Sequence, residues 1–240
     1  MPRLQVPQLG AAPDAPFPAT ADALRRPNGL LAWGGDLTRT RLLTAYRAGI
    51  FPWYSDAEPI LWWSPSPRCV IVPDAIHLSR RTRRRYNTGA YQVTADVAFP
   101  AVITACAGLR AGQDGTWITA GLQTAFCELH QAGLAHSVEV WQQEELVGGI
   151  YGLALGAMFF GESMFSHTTD ASKIALVALC RQLQRWSFGL LDCQIPNPHL
   201  HSMGAIALPR SDFEWLLAGL LVEPGQPGSW QKRFKPESRW

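Results

Sequence analysis

The chain is poor in cysteine, nearly balanced in charge and without a long apolar run. Its five cysteines, at positions 69, 106, 127, 180 and 193, are an odd number and form no CxxC pair. That excludes a disulfide framework and a zinc knuckle, and it suits reduced intracellular thiols. A net charge of +2 excludes a protein that binds nucleic acid through bulk charge alone. No apolar stretch reaches the ~18–20 residues that span a bilayer. The opening MPRLQVPQLGAAPDAPFPAT sets Pro and Asp where a secretory leader would carry its apolar segment. The expectation is a soluble, cytoplasmic monomer with no membrane partner. What the chain does have is ordinary globular material: 47% hydrophobic and 17% charged residues, over a length that fits one large domain or two modest ones.

Residues 1–28 are Pro- and Ala-rich and end in a PNG turn signal. After them, Asp36 and Thr38 are helix-capping candidates, and Leu42, Leu43, Tyr46 and Ile50 predict a short amphipathic helix closed by Gly49 and Pro52. The aromatic, turn-rich segment PILWWSPSPR marks the boundary between a small N-terminal domain (1–66) and a larger one (67–240). In the larger part, Val70–Val72 reads as a strand and Ala98–Leu109 as a helix. Residues 136–141 and 146–151 read as a hairpin, and 154–160 as a third strand. Ser172–Trp186 is the clearest helix, with Leu176, Leu179, Cys180 and Leu183 on one stripe. Asp212–Leu221 is a last helix, and the basic tail GQPGSWQKRFKPESRW reads as loosely held. The element order predicts an α+β fold, with an N-acetyltransferase-type layout among the candidates.

Several short patterns carry possible chemistry. In LLDCQIPNPHL (190–200), an extended segment would put Leu191, Cys193 and Ile195 on one face and Asp192 with Gln194 on the other. The polar pair is a solvated strand end or a reaction centre, and Cys193 falls on the core side. His199 and His201 with Asp192 suggest a metal site, which the two flanking prolines disfavour. Together with Cys193 they define a metal- or thiol-dependent hydrolase as the rival reading. Gly161–Phe165, GESMF, has Phe where a nucleophile elbow needs its last glycine. Glu162 in that stretch is an acid among Phe160, Met164 and Phe165, and so either a capping group or an anion kept for a cationic ligand. Arg80, Arg81, Arg83, Arg84 and Arg85 form a solvated helix face or a phosphate patch. Trp53, Trp62, Trp63 and Trp117 lie in turn-rich contexts, as core residues or as base-stacking platforms. No glycine loop follows the hairpin strands to cradle a coenzyme A pyrophosphate.

Taken in order, GLLAWGGDL, GIFPW, ILWWSPSPR, GTWI, HSVEVW with LVGGIYG, FFGESMFS, ASKIAL and DCQ resemble the bacterial leucyl/phenylalanyl-tRNA–protein transferases. The likeness runs from about residue 24 to about 220. The HTTD stretch at 167–170 acquires no role from it. The resemblance implies a small N-terminal domain joined to a GNAT-like domain, with neither metal nor cofactor. It implies transfer of Leu or Phe, sometimes Met, from aminoacyl-tRNA to the α-amino group of proteins that begin with Arg or Lys, which creates an N-degron. It places Asp192 and Gln194 at the reaction centre, Trp53 and Trp117 on the terminal adenosine, and apolar residues near Met164, Phe160 among them, around the amino acid. It sets Glu162 beside the acceptor. The five arginines are then expected to bind the tRNA backbone.

Overall fold

The computed structural model describes residues 6–108 and 116–240. Leu109, the expected end of one helix, and Gly115 of GTWI lie outside the described residues, as do the first five positions.

A small sheet comes first. Its strands are β1 (Gln8–Leu9), β2 (Leu30–Gly34), β3 (Phe51–Pro52) and β4 (Leu61–Trp63), in the order β1-β2-β4-β3. Helix α1 (Arg39–Arg47) starts at Thr38, whose hydroxyl accepts the Arg41 N–H, satisfying one of the orphan donors of the first turn. It stops at Gly49, which takes φ +71, a left-handed conformation that glycine adopts without a Cβ penalty. Arg41 is fully buried and pairs with Asp36. It also donates to the carbonyls of Gly10, Ala12 and Ala15, which anchors the Pro-rich N-terminal segment. Trp62 is core, its indole N–H on the Gly34 carbonyl, and is no exposed stacking platform.

The large sheet has seven strands: β5 (Arg68–Ile71), β6 (Gln92–Ala95), β7 (Ala135–Gln142), β8 (Glu145–Leu155), β9 (Met158–Ser166), β10 (Leu190–Gln194) and β11 (Ile206–Leu208). Their order is β11-β5-β10-β9-β8-β7-β6. All neighbours run antiparallel except β9 and β10, which are parallel. Helices α2 (Arg80–Tyr86), α3 (Phe99–Ala107), α4 (Ala120–Gln131), α5 (Ala171–Arg185), α6 (Pro198–Ser202) and α7 (Arg210–Leu221) complete an α+β fold. The sheet separates two apolar clusters. One holds α3, α4, Phe160, Tyr46 of α1 and the small sheet's Leu31 and Trp62; the other holds α5, Phe159 and Trp230. Phe159 and Phe160 face opposite ways, as strand alternation requires.

Two expectations need correction. Residues 154–160 are not a third strand. They span the end of β8, the turn at 156–157 and the start of β9, with Gly156 at φ +56 and packed so closely that a Cβ there would lie 2.4 Å from the Leu220 carbonyl oxygen. The run reads as one strand because both flanking strands are buried on both faces. Nor is the tail loose. Trp230 is fully buried, stacks on His136 at 3.8 Å between ring centroids, and donates its backbone N–H to Asp96 at 2.7 Å. Phe234 is buried beside it in the same cluster.

Candidate active site

A cavity of about 260 Å³ opens where β3, β9 and β10 meet. Leu176, Leu191, Ile150 and Met164 make its apolar side, and Trp53, Trp117, Glu162 and Gln194 supply most of its polar and aromatic groups.

β10 does not keep its alternation to the end. It pairs with β5 as Asp192 to Val70 and then Gln194 to Cys69, so one extra residue forms a bulge. The bulge changes which side chains reach the cavity: Leu191, Cys193 and Gln194 line it, while Asp192 is fully buried behind them. The simple two-face reading of 190–195 is therefore corrected by one residue. Gln194 sits at φ +56, a conformation costing ~1–3 kcal/mol for a side-chain-bearing residue. Its backbone N–H donates to Asp192 Oδ1 at 3.0 Å, which closes the bulge. Its Nε2 faces Asp192 O and Oδ2 at 3.5 Å, and among the described residues its carboxamide oxygen accepts no hydrogen bond.

Arg68 holds that carboxylate. Its Nε and Nη2 donate to Asp192 Oδ1 and Oδ2 at 2.8 and 2.7 Å, and Nη1 donates to the Gly49 carbonyl at 2.9 Å. The guanidinium lies 4.9 Å from the Phe51 ring centroid and 4.6 Å from that of Phe213. A buried ion pair is tolerated best when its polar atoms find partners, and here all three guanidinium nitrogens and both carboxylate oxygens do. The sequence reading gave Arg68 no role. Its signal is an arginine opening the apolar strand RCVI.

Glu162 is the extra residue of a second bulge, since Tyr151 pairs with Ser163 and Gly152 with Gly161. Oε1 accepts the Tyr46 hydroxyl at 2.7 Å. Burial raises its pKa to about 8; the Tyr46 bond and Arg68 pull it down, and Asp192 pushes it up. Tyr46, buried in the first cluster, was also unassigned. Phe160 is not a wall of the cavity, contrary to expectation. It is fully buried and meets Tyr46 edge-on at 5.1 Å, on the face of β9 turned to the core.

Trp53 is 39% exposed and is held by Trp63, whose indole N–H donates to the Trp53 carbonyl at 2.7 Å. The Tyr54 hydroxyl meets that of Thr119, the N-cap of α4, at 3.1 Å, tying the Trp53 segment to the one that carries Trp117. GESMF lies within β9 and not at a strand-to-helix turn. Cys193 borders the cavity, but the neighbouring Cys69 and burial push its thiol well up, opposite to what a nucleophile needs. His199 and His201 lie on α6, in a helix where a loop was expected, and neither lines the cavity. The thiol and the two imidazoles do not converge there. Among the described residues no group of three or more His, Cys, Asp and Glu is placed to hold a metal ion. Of the α2 arginines, Arg85 is tied to Asp170 and the Thr169 carbonyl, the other four are exposed, and none reaches the cavity.

Sequence comparison matches the chain to a family. Residues 70–218 fit the family model described as leucyl/phenylalanyl-tRNA protein transferase, and 35–66 fit that of its N-terminal domain. The chain belongs to this family. It is 57% identical over 211 residues to the leucyl/phenylalanyl-tRNA–protein transferase of Stutzerimonas stutzeri, covering 88% of this chain and 93% of that one. With the Pseudomonas fluorescens protein of the same name it shares 58% over 214 residues, covering 89% and 94%. The chain is accordingly a transferase. Among solved structures it is similar to L-PGS from Bacillus licheniformis, with TM-score 0.38, 10% identity and coverage of 70% of this chain and 53% of that one. A GCN5-related N-acetyltransferase from Kribbella flavida gives TM-score 0.36, 7% identity and coverage of 70% and 60%. Both likenesses are too loose to carry an argument. No helix among the described residues of the transferase is long and apolar enough to cross a membrane.

Proposed function

We propose that the cavity joins Leu or Phe, carried as the ester of a tRNA 3′ adenosine, to the α-amino group of a protein that begins with Arg or Lys. Trp53 and Trp117 take the terminal adenosine, and Met164 with the apolar residues opposite takes the amino-acid side chain. Glu162 takes the acceptor's cationic first side chain. The observation that carries the reading is Gln194, a strained residue at a bulge whose carboxamide oxygen, accepting no hydrogen bond among the described residues, is offered to a cavity flanked by two tryptophans.

The chemistry asks little of side chains. An α-amino group with pKa ~7.7–8.0 is partly neutral at cellular pH. Its lone pair attacks the ester carbonyl, a C–N bond forms, the C–O bond to ribose breaks, and the amine's proton ends on the ribose hydroxyl. Gln194 accepts an N–H of the amine and aims it. Positioning of this kind supplies up to ~7–11 kcal/mol of barrier reduction. Asp192 does not touch the amine in this scheme; it is a positioning residue that fixes Gln194 through the bulge. The product, with Leu or Phe ahead of Arg or Lys, is an N-degron.

The test is incubation of the protein with labelled Leu-tRNA and an Arg-initiated peptide. Label should appear in acid-stable peptide. Label released as free leucine instead would replace this reading with hydrolysis.

A further inference from the structure

The C-terminal segment crosses the ends of α2 and α5 and is tied there residue by residue. Glu237 presents one carboxylate oxygen to Arg181 and the other to Arg185, and the Tyr86 hydroxyl donates to the Glu237 carbonyl. Trp240 stacks on Tyr86 with ring centroids 3.8 Å apart and planes 16° from parallel. The Arg181 guanidinium stands 5.3 Å from the Trp240 ring. Asn87 brackets Trp240, donating to its carbonyl at 3.0 Å and accepting its N–H at 2.8 Å.

The charges held in this way do not balance. One Glu237 side chain serves both Arg181 and Arg185, which remain 26% and 39% exposed. Lys235 and Arg239 are exposed on the same segment, and Arg83 is exposed on α2. Burial, then repulsion from Arg83 and Arg185, lowers the proton affinity of the Arg181 guanidinium. Like charges pressed together cost free energy in the free protein and are relieved by an anionic partner. Guanidinium groups match phosphate in charge and in bidentate geometry.

We propose that the junction of α2, α5 and the C-terminal segment contacts the phosphate backbone of the donor tRNA's body, with Glu237 and Trp240 holding its arginines in place. The proposal rests on the donor being an aminoacyl-tRNA. It adds Arg181, Arg185 and Arg239 to a basic surface that the sequence confined to α2. None of these residues lines the cavity, as a contact to the body and not to the aminoacyl end requires.

The experiment compares two donors, Phe-tRNA and the short Phe-adenosine ester, with an Arg-initiated peptide as acceptor. Wild type, Arg181→Gln/Arg185→Gln and Arg239→Ser are each titrated with Phe-tRNA across a salt series. Each phosphate contact removed should flatten the log–log salt slope by ~0.7–0.9 and raise KM for Phe-tRNA. Transfer from Phe-adenosine should stay at the wild-type rate, which also shows that the variants fold. Should the double variant fail to fold, the exposed Arg239→Ser carries the test. An unchanged slope, or an equal loss with the short donor, overturns the proposal. A wild type that binds Phe-tRNA with the slope described but transfers from neither donor would defeat the proposed function and leave this contact standing.

Discussion

Gln194 and Glu162 are the two side chains on which the reading depends, and each makes a different demand. Gln194→Ala keeps the backbone bond to Asp192 but loses the carboxamide, so Phe-tRNA binding should persist while kcat falls on the order of 10²–10⁴-fold. A variant retaining more than about half the rate at saturating substrate would remove Gln194 from the chemistry. Glu162→Gln should lower kcat/KM for Arg- and Lys-initiated peptides by more than about tenfold, and that for an Ala-initiated peptide far less, since the acceptor's cation draws the proton off a carboxyl that is mostly neutral in the free enzyme, and the charge pair so formed, which the variant cannot make, is worth ~2–5 kcal/mol. Equal losses for all three peptides would mean that Glu162 serves only the fold. Its raised pKa makes a second, independent prediction. A carboxyl near 8 in the fold and ~4.3 unfolded favours the folded state while protonated, and that contribution is lost as pH rises toward 8. Glu162→Gln should therefore melt above wild type at pH 8, with the gap closing as pH falls toward about 4.5. A constant gap would refute the linkage.

At the scale of elements, the bulge in β10 depends on the Arg68–Asp192 pair. Arg68→Ala leaves Asp192 buried without its cation, which costs ~3–5 kcal/mol. It should lower both the melting temperature and the turnover from Phe-adenosine; unchanged turnover in a destabilised protein would separate the pair from Gln194. The C-terminal segment makes a comparable prediction. Trp230→Ala empties a fully buried indole site and should cost ~3–5 kcal/mol, or roughly 6–20 °C in Tm, by thermal melting. These are the elements the sequence showed least clearly. Helix α5 was legible to within a residue, because a wide apolar stripe with no competing signal has one solution. Thr38 as a cap and the hairpin of β7 and β8 were legible for the same local reason. Helix α4 went unread although Thr119 caps it and Leu122, Ala125, Phe126 and Leu129 are its buried stripe. The turn at Gly156 was hidden inside an apolar run, and the tail's anchors, Trp230 and Phe234, stand in a segment whose composition is polar and basic. In the site, residue types showed where chemistry was concentrated. Neither bulge was visible, because a bulge depends on pairing with a strand far away in sequence. Arg68, 124 positions from Asp192, and Tyr46, 116 from Glu162, are contacts that no local pattern could encode.

Across the whole molecule, acid should act through buried groups on the far face of the large sheet. Burial pushes Asp96 up, but bonds from His136, Trp230 and Ser137 outweigh it and hold the carboxyl below its usual range. Burial lowers His136 more than Asp96 raises it. Both are depressed in the fold, so both add stability that is present above their unfolded pKa values and lost as pH falls. In the Glu162→Gln background, where the opposing contribution of that carboxyl is gone, Tm should start to decline below about pH 6.5 through His136 and again below about pH 4 through Asp96. His136→Gln should abolish the first decline and keep the second.

One apolar cluster runs from Leu9, Leu31 and Trp62 of the small sheet into Phe126 of α4 and Tyr151 and Leu155 of the large sheet. A hinge between the two sheets would have to tear that cluster open to water. The transferase should then melt as one cooperative unit, and residues 67–240 expressed alone should aggregate or remain unfolded; two resolved calorimetric transitions would show otherwise. If the sheets cannot part, the entrance to the cavity widens only as far as the loops and rotamers around Trp53 and Trp117 allow. With the terminal adenosine seated there as proposed, turnover would then be timed by a nucleotide leaving a slot of fixed width, and crowding of that slot, more than any motion of domains, would limit the enzyme's pace.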